Sequence, residues 1–258
     1  MRERRGSERV AAKRPLPPCT AATNDGRALP AQAPRELIDP WREPPPGEPS
    51  ETTENCRDRR QYALRRESEE HMADFGGLSV SEPLLRGLAE MGFEEPTPVQ
   101  ARAIPLLMAG RDVVAQAPTG TGKTAAFGIP LVESIDIARE VPQAVVLAPT
   151  RELAVQVAEH LNRLGRYHRL RLLPVYGGQP ITRQLIALRR GVHAIVATPG
   201  RLMDHMRRGT VDLSAVRMLV LDEAAQMLQM GFQEDVEYVL EHLPADHVTA
   251  LFSATRAV

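Results

Sequence analysis

The sequence has little of several features that define common protein classes. Cys19 and Cys56 are the only cysteines among 258 residues, so it supports neither a disulfide framework nor a metal site. No apolar run approaches eighteen residues and no signal-peptide segment opens the chain, so we expect a soluble, cytoplasmic protein without membrane contact. The formal net charge of -1 carries no global signature of nucleic-acid binding. Any such surface must therefore be a local patch.

Lysine is also scarce. Lys13 and Lys123 are the only lysines among 32 basic residues, and the other basic residues are arginines. A compact ammonium fits a tight backbone cradle in which a planar guanidinium would not, so lysine at position 123 suggests a specific requirement. Chance is the alternative explanation of this single residue.

A glycine-rich segment surrounds Lys123 and lies between an apolar run and a stretch typical of a helix. It reads Ala117-Pro118-Thr119-Gly120-Thr121-Gly122-Lys123-Thr124. Strand, glycine-rich turn and helix in this order predict a loop that cradles phosphates with backbone N–H groups and the helix dipole. Lys123 would reach the β- and γ-phosphates, and the Thr124 hydroxyl would bind Mg²⁺. Ala117 stands where the general pattern has glycine, and an ordinary turn with an exposed lysine is the alternative.

Residues 1–71 differ in composition from the rest of the chain. They hold ten of the 22 prolines, charges of both signs and few apolar residues. Such a segment buries too little surface to offset its conformational entropy, so we predict a disordered tail. Its arginine pairs could contact RNA, although a solvated tail is the simpler interpretation. Met72 as the true start of the protein is a further interpretation.

Residues 72–258 are predicted to form one α/β domain, and a hydrophobic content of 43% suffices for a core. Helices are expected at 82–91 after Ser81 and from Pro98 to about 109. Apolar, strand-like runs then alternate with amphipathic stretches. The runs cover 113–115, 144–148, 172–175, 194–197, 218–221 and 248–252, and the helical stretches cover 152–164, 181–190, 201–208 and 232–243. This alternation predicts a parallel sheet with helices on both faces, which binds ligands at the carboxyl ends of its strands.

Two carboxylates follow the apolar run at 218–221. Asp222 would hold Mg²⁺, and Glu223 would polarise the water that attacks the γ-phosphate. The alternative is a pair of acids that opens a helix and interacts with its dipole.

Several motifs in order resemble the first RecA-like domain of DEAD-box ATP-dependent RNA helicases. Residues 92–100, Gly-Phe-Glu-Glu-Pro-Thr-Pro-Val-Gln, resemble the family's adenine-reading Q motif. By this resemblance Gln100 would hydrogen-bond the adenine and select ATP. Phe75, seventeen residues before Gly92, would stack on the base. The resemblance covers residues 75–255.

Other segments resemble the family's RNA-backbone motifs. They are Pro149-Thr150-Arg151-Glu152-Leu153-Ala154, Gly177-Gly178 and Thr198-Pro199-Gly200-Arg201. Each follows an apolar run and offers small residues, a hydroxyl or an arginine, a combination that binds sugar and phosphate without reading bases. Taken singly, each segment is more typical of a turn than of an RNA contact.

Two departures from the family pattern stand out. Asp222-Glu223-Ala224-Ala225 has alanine where the family has a second aspartate, and Ser253-Ala254-Thr255 matches the motif to which that aspartate would bond. The resemblance assigns these residues to the coupling of hydrolysis with strand separation. Ala225 has no carboxylate that could accept hydrogen bonds from Ser253 or Thr255, so this part of the coupling is missing. The sequence also ends at Val258, before the second RecA-like domain that the family pattern would place next.

The sequence therefore predicts an ATP-binding domain of an RNA helicase that uses ATP and Mg²⁺, contacts RNA through its backbone, and is weakly active or inactive by itself. One alternative is a non-catalytic fragment that binds ATP or RNA. A different P-loop NTPase is a third, which the Q motif and residues 149–151 disfavour.

Overall fold

The computed structural model describes residues 36–38, by their backbone, and residues 75–254. All of them belong to one compact unit. The residues outside these ranges include Thr255, one of the predicted coupling residues.

The described residues form one seven-stranded sheet in which every pair of neighbours is parallel. Its strands are β1 (Glu36–Ile38), β2 (Val113–Gln116), β3 (Ala144–Leu147), β4 (Leu172–Val175), β5 (Ala194–Ala197), β6 (Met218–Asp222) and β7 (Val248–Ser253). The order across the sheet is β1-β2-β7-β6-β3-β5-β4. The predicted parallel α/β fold is confirmed.

Eight α-helices connect or precede these strands in the described part of the chain. They are α1 (Glu82–Glu90), α2 (Pro98–Met108), α3 (Lys123–Ser134), α4 (Arg151–Leu164), α5 (Ile181–Arg189), α6 (Pro199–Arg207), α7 (Ala224–Gln229) and α8 (Gln233–Glu241). Two short 3₁₀ helices, Phe75–Leu78 and Arg166–His168, complete the set.

Two hydrophobic clusters cover the two faces of the sheet. Successive strand residues alternate between them: Val146 of β3 belongs to the cluster with helices α1–α4, and its neighbours Val145 and Leu147 belong to the cluster with α6–α8. Side chains of a strand point to opposite faces in turn, so a strand buried on both sides must be apolar at every position. This is why the central strands read as continuous apolar runs.

Three local details differ from the sequence-based expectations. Helix α7 was not predicted, because six residues are too few to show a helical period. Ser81 precedes α1 as expected, but its hydroxyl lies 3.0 Å from Nε2 of His168 and makes no cap hydrogen bond with the helix. Strand β1 lies within the segment predicted to be disordered and pairs with residues 113–115 of β2.

The strand order sorts the predicted motifs into two groups at the carboxyl edge of the sheet. The glycine-rich loop follows β2, and residues 222–223 and 253–254 lie at the carboxyl ends of β6 and β7, which are its next neighbours in the sheet. The segments at 149–151, 176–179 and 198–201 follow the adjacent strands β3, β4 and β5. The fold therefore creates two neighbouring sites from motifs that are scattered along the chain.

Candidate functional site

The glycine-rich loop needs both of its glycines. Gly120 and Gly122 have φ angles of 83° and 89°, in the left-handed region that side chains rarely adopt. Gly122 also precedes the first residue of α3, and a Cβ atom built on it would lie 2.2 Å from Nε2 of Gln100. The loop therefore curls closely against α2 and leads directly into the amino end of α3, as a phosphate cradle requires.

Gln100 holds that arrangement together. Its side chain is fully buried. The amide nitrogen donates to the carbonyl oxygen of Gly122 at 3.1 Å, and Oε1 accepts from the backbone N–H of Thr97 at 3.0 Å. One amide hydrogen and one oxygen lone pair remain for another partner. The role of Gln100 in adenine recognition remains a prediction, and the structure adds a link between the Q-motif segment and the loop.

Phe75 lies in the hydrophobic core that includes α1–α4, with 4% of its surface exposed. Its ring meets the ring of Phe93 edge-on, with centroids 6.1 Å apart and planes at 89°. A base could reach only a small part of this ring in the present conformation. The predicted stacking of Phe75 on adenine therefore stays a prediction that requires the ring to become more accessible.

Lys123 and Glu223 form the central ion pair of the site although they lie 100 positions apart in the sequence. Nζ of Lys123 donates to Oε1 of Glu223 at 2.6 Å, and the two side chains are only 7% and 16% exposed. The other carboxylate oxygen of Glu223 accepts from the backbone N–H of Ala254 at 3.1 Å. Glu223 itself adopts a left-handed backbone conformation at the start of α7. One carboxylate thus joins the glycine-rich loop to the end of β7.

Asp222 lies next to this pair and is almost completely buried, with 3% of its surface exposed. Burial is the largest effect on the carboxyl group, and together with the charge of Glu223 it raises the pKa of Asp222 to about 6. Lys123 and the backbone N–H of Glu223 offset only part of this rise. The ammonium group of Lys123 contacts Glu223 and offsets the negative charge of Asp222 only in part, and a divalent cation would supply further positive charge.

The hydroxyl groups of the loop lie in different environments. Thr119 is exposed, and Thr121 donates to the carbonyl oxygen of Pro118 at 2.7 Å. Thr124 is half-buried in the first turn of α3. In the described residues, no cluster of three or more His, Cys, Asp or Glu side chains could hold a metal ion without further ligands. Mg²⁺ fits such a place because it commonly uses one or two protein oxygens together with phosphates and water.

At the coupling position, Ala225 is 5% exposed in the first turn of α7 and Ser253 is 3% exposed at the end of β7. The hydrogen bond from Ala254 to Glu223 connects these two elements without a side chain from position 225. Sequence reasoning missed this link because its donor is a backbone group.

The second group of motifs also converges. Pro149 is buried, and the Thr150 hydroxyl accepts from the N–H of Leu153 at 3.2 Å to cap α4. The exposed guanidinium of Arg151 lies 5.8 Å from the centre of the Tyr176 ring. A Cβ atom on Gly178 would lie 3.5 Å from Nη1 of Arg151. The loops after β3 and β4 therefore meet at this arginine.

The loop after β5 joins them through Arg201. Residues 198–201 form the start of α6, with Thr198 before its first residue and Pro199 as that residue. Nη1 of Arg201 donates to the carbonyl oxygen of Gln179 at 3.4 Å and to Oε1 of Gln184 at 3.2 Å. A Cβ atom on Gly200 would lie 3.3 Å from a carboxylate oxygen of Asp235. The three predicted RNA segments thus form one continuous surface.

Sequence reasoning missed Gln184, which is 2% exposed on α5. A signal was present, because the other residues of the stripe 181, 184, 185 and 188 are apolar and Gln184 is the polar exception.

Comparison with known proteins identifies the family. Residues 97–257 match the DEAD/DEAH box helicase family. This chain belongs to that family. The DEAD-box ATP-dependent RNA helicase CshA of Geobacillus kaustophilus is 54% identical over 184 residues, which cover 71% of this chain and 39% of the relative. CshA of Bacillus licheniformis is 56% identical over 181 residues, which cover 70% of this chain and 37% of the relative.

Solved structures of DEAD-box proteins have the same fold. A DEAD box protein from Methanococcus jannaschii has 43% identity and a TM-score of 0.67, over 71% of this chain and 50% of that protein. Dbp5 of S. cerevisiae, solved with RNA and ADP BeF3, has 36% identity and a TM-score of 0.67, over 72% of this chain and 47% of that protein.

This DEAD-box chain spans about two fifths of the length of the curated relatives that it matches. Its described residues correspond to the N-terminal, ATP-binding RecA-like domain of the family. None of the described helices is both long and apolar enough to cross a membrane.

Proposed function

We propose that this domain binds ATP with Mg²⁺ at the glycine-rich loop and serves as the ATP-binding half of an ATP-dependent RNA helicase. The observation that carries this proposal is the buried ion pair between Lys123 and Glu223. A basic group at the end of the loop after β2 and an acid that follows β6, two strands away in the sheet, meet in a place that water scarcely reaches. Such a site can bind a phosphate chain and also hold the group that activates water.

Nucleotide binding would change the partner of Lys123. The ammonium group contacts Glu223 at 2.6 Å in the present structure, so the phosphates of ATP must compete with that carboxylate for the same charge. When Lys123 turns to the phosphates, one oxygen of Glu223 becomes free while the other stays bound to Ala254. The freed oxygen can accept a proton from a water molecule near the γ-phosphate.

Asp222 and Thr124 are the residues that would hold Mg²⁺. Burial without a full countercharge raises the pKa of Asp222, and a nearby cation would favour its ionised form. When bound, the ion would neutralise charge on the phosphates. The contribution of the protein is to keep these two oxygens at the end of β6 and at the start of α3.

The surface formed by residues 149–151, 176–179 and 198–201 is proposed to bind the sugar-phosphate backbone of RNA. It combines the exposed Arg151, the amino end of α6 and the exposed Gly177 and Gly178, which can contact phosphate rather than base. Dbp5, a similar protein, was solved with bound RNA, which supports the proposal that this chain also binds RNA. Coupling of hydrolysis to RNA remodelling belongs to the complete helicase. A fragment that binds ATP or RNA without unwinding is the alternative for the chain by itself.

Isothermal calorimetry with Mg²⁺-ATP and Mg²⁺-GTP tests the nucleotide assignment. We expect ATP to bind more tightly than GTP. Lys123→Ala should lower ATP affinity by about 10- to 150-fold, because a hydrogen bond to a charged group contributes about 1.5–3 kcal/mol. Lys13→Ala, which removes the other lysine, is the charge-matched control. Unchanged affinity in Lys123→Ala would refute the role of the loop, and equal affinity for ATP and GTP would refute the role of Gln100.

A further inference from the structure

A chain of polar side chains runs beneath the proposed RNA surface. Gln184 of α5 and His205 of α6 are 2% and 0% exposed, although both are polar. They connect the half-buried Thr210, beyond the end of α6, to Arg201 and to the loop at residues 176–179. Buried polar groups are costly unless they are hydrogen-bonded, so a chain of this kind indicates a defined geometry.

The hydrogen bonds determine the orientation of the Gln184 amide. Its nitrogen lies 2.9 Å from the carbonyl oxygen of Tyr176, which can only accept, so the nitrogen donates there. Its oxygen therefore faces the other way and accepts from Nη1 of Arg201 at 3.2 Å. The same oxygen lies 2.9 Å from Nε2 of His205, which must carry the proton of that bond.

His205 is held from its other side. Nδ1 lies 2.8 Å from the Thr210 hydroxyl, so both ring nitrogens have partners and the ring plane is set. Burial, followed by the charge of Arg201, lowers the pKa of His205. A neutral ring carries its proton on Nε2, donates to Gln184 and adds no positive charge beside Arg201. Nδ1 then accepts from the Thr210 hydroxyl, which in this state turns its single hydrogen away from the carbonyl oxygen of His205, 2.9 Å away.

We propose that Gln184, held in place by His205, is a positioning residue for RNA binding. It acts through its amide oxygen on Arg201 and through its amide nitrogen on the loop after β4. Arg201 in turn donates to the carbonyl oxygen of Gln179 in that loop. The proposal rests on the proposed RNA-binding function of this surface.

A polar residue is needed because the two loops require opposite hydrogen-bonding groups. The Tyr176 carbonyl requires a donor and the Arg201 guanidinium requires an acceptor, and one amide supplies both. An apolar side chain at position 184 would complete the stripe of α5 but would leave the Tyr176 carbonyl unpaired. Arg201 has five N–H groups, and the bonds described use only part of them. The remaining N–H groups can face a phosphate.

A double-mutant cycle on the whole chain tests this role. Affinity for a fluorescein-labelled single-stranded oligouridine is measured by anisotropy at low salt for wild type, Arg201→Ala, Gln184→Met and the double variant. We expect each single change to lower affinity by about 3- to 10-fold, as for one or two lost hydrogen bonds. The double variant should be no weaker than the weaker single variant, because both changes remove the same arrangement.

Two further measurements separate positioning from general stability. Gln156→Met changes an exposed glutamine of α4 and is the matched control, expected to bind RNA as wild type does. ATP affinity of Gln184→Met should stay within about twofold of wild type, because the nucleotide residues follow other strands. A parallel loss of ATP and RNA affinity would mean general destabilisation and would overturn the proposal.

A second variant covers the case in which Gln184→Met does not fold. Gln184→Glu keeps an acceptor towards Arg201 but has no donor for the Tyr176 carbonyl. Its loss of RNA affinity should therefore be smaller when Arg201 is already replaced by alanine. If the fold-losses of affinity from the two single changes multiply in the double variant of either cycle, the two residues act independently. That result would overturn the positioning role of Gln184 but not the proposal that this surface binds RNA. If the wild-type chain and Arg201→Ala bind oligouridine equally or not at all, the proposed RNA surface itself fails, and the inference fails with it.

Discussion

The buried carboxyl group of Asp222 is expected to destabilise the domain when no nucleotide is bound. Asp222→Asn keeps the size of the side chain and removes its charge. The variant should therefore be more stable than wild type at neutral pH, although it loses an oxygen that would hold Mg²⁺. Replacing a residue of the site would then stabilise the domain, because it removes a buried negative charge.

The pKa of Asp222 gives the size and sign of this effect. Folding raises it from 3.8 to about 6, mainly by burial, so the folded state binds the proton more tightly than the unfolded state. Stability therefore falls as the pH rises from about 4 to about 6, and the loss stays constant above that range. The rise corresponds to about 3 kcal/mol at pH 7. For a domain of this size that is about 6–12 °C in melting temperature.

Thermal unfolding without nucleotide at several pH values between 4 and 7 measures the prediction. The melting temperature of Asp222→Asn should exceed that of wild type at pH 7, and the difference should shrink towards pH 4. Asp212→Asn is the control, because hydrogen bonds from Ser214 lower the pKa of the exposed Asp212 and its charge is favourable. Mg²⁺-ATP should then stabilise wild type more than Asp222→Asn. Equal melting temperatures at pH 7, or a difference independent of pH, would refute the reasoning.

Two further predictions concern the tail and the coupling position. A chain that begins at Met72 should melt within about 2 °C of the full chain, because β1 is a three-residue edge strand; a drop of several degrees would show that β1 or another part of the tail stabilises the domain. In a fusion of this chain to the second domain of a related helicase, Ala225→Asp should increase duplex unwinding much more than ATP affinity, since it adds a carboxylate near Ser253 and leaves Lys123 and Glu223 unchanged. Equal unwinding by both fusions, or an equal gain in ATP affinity, would contradict a coupling role for this position.

The sequence by itself determined the fold class and most of the element boundaries. Strands β4 and β5 lie at the predicted residues. Strand β3 is one residue shorter than predicted at its carboxyl end, and β2, β6 and β7 are each one residue longer there. These elements depend on local periodicity and on glycine and proline at their ends, which a sequence displays directly. The loop at 117–124 was also readable, because its glycines, lysine and flanking elements are contiguous.

The tertiary structure decided which groups meet. The ion pair between Lys123 and Glu223, the bond from Ala254 to Glu223 and the burial of Phe75 depend on how β2, β6 and β7 lie side by side. A periodic pattern shows which face of an element is buried but not which element covers it. Gln184 is a further example. The sequence shows that it is a polar residue in an apolar stripe of α5, but only the tertiary structure shows that it bonds to His205 of α6 and to the loop after β4.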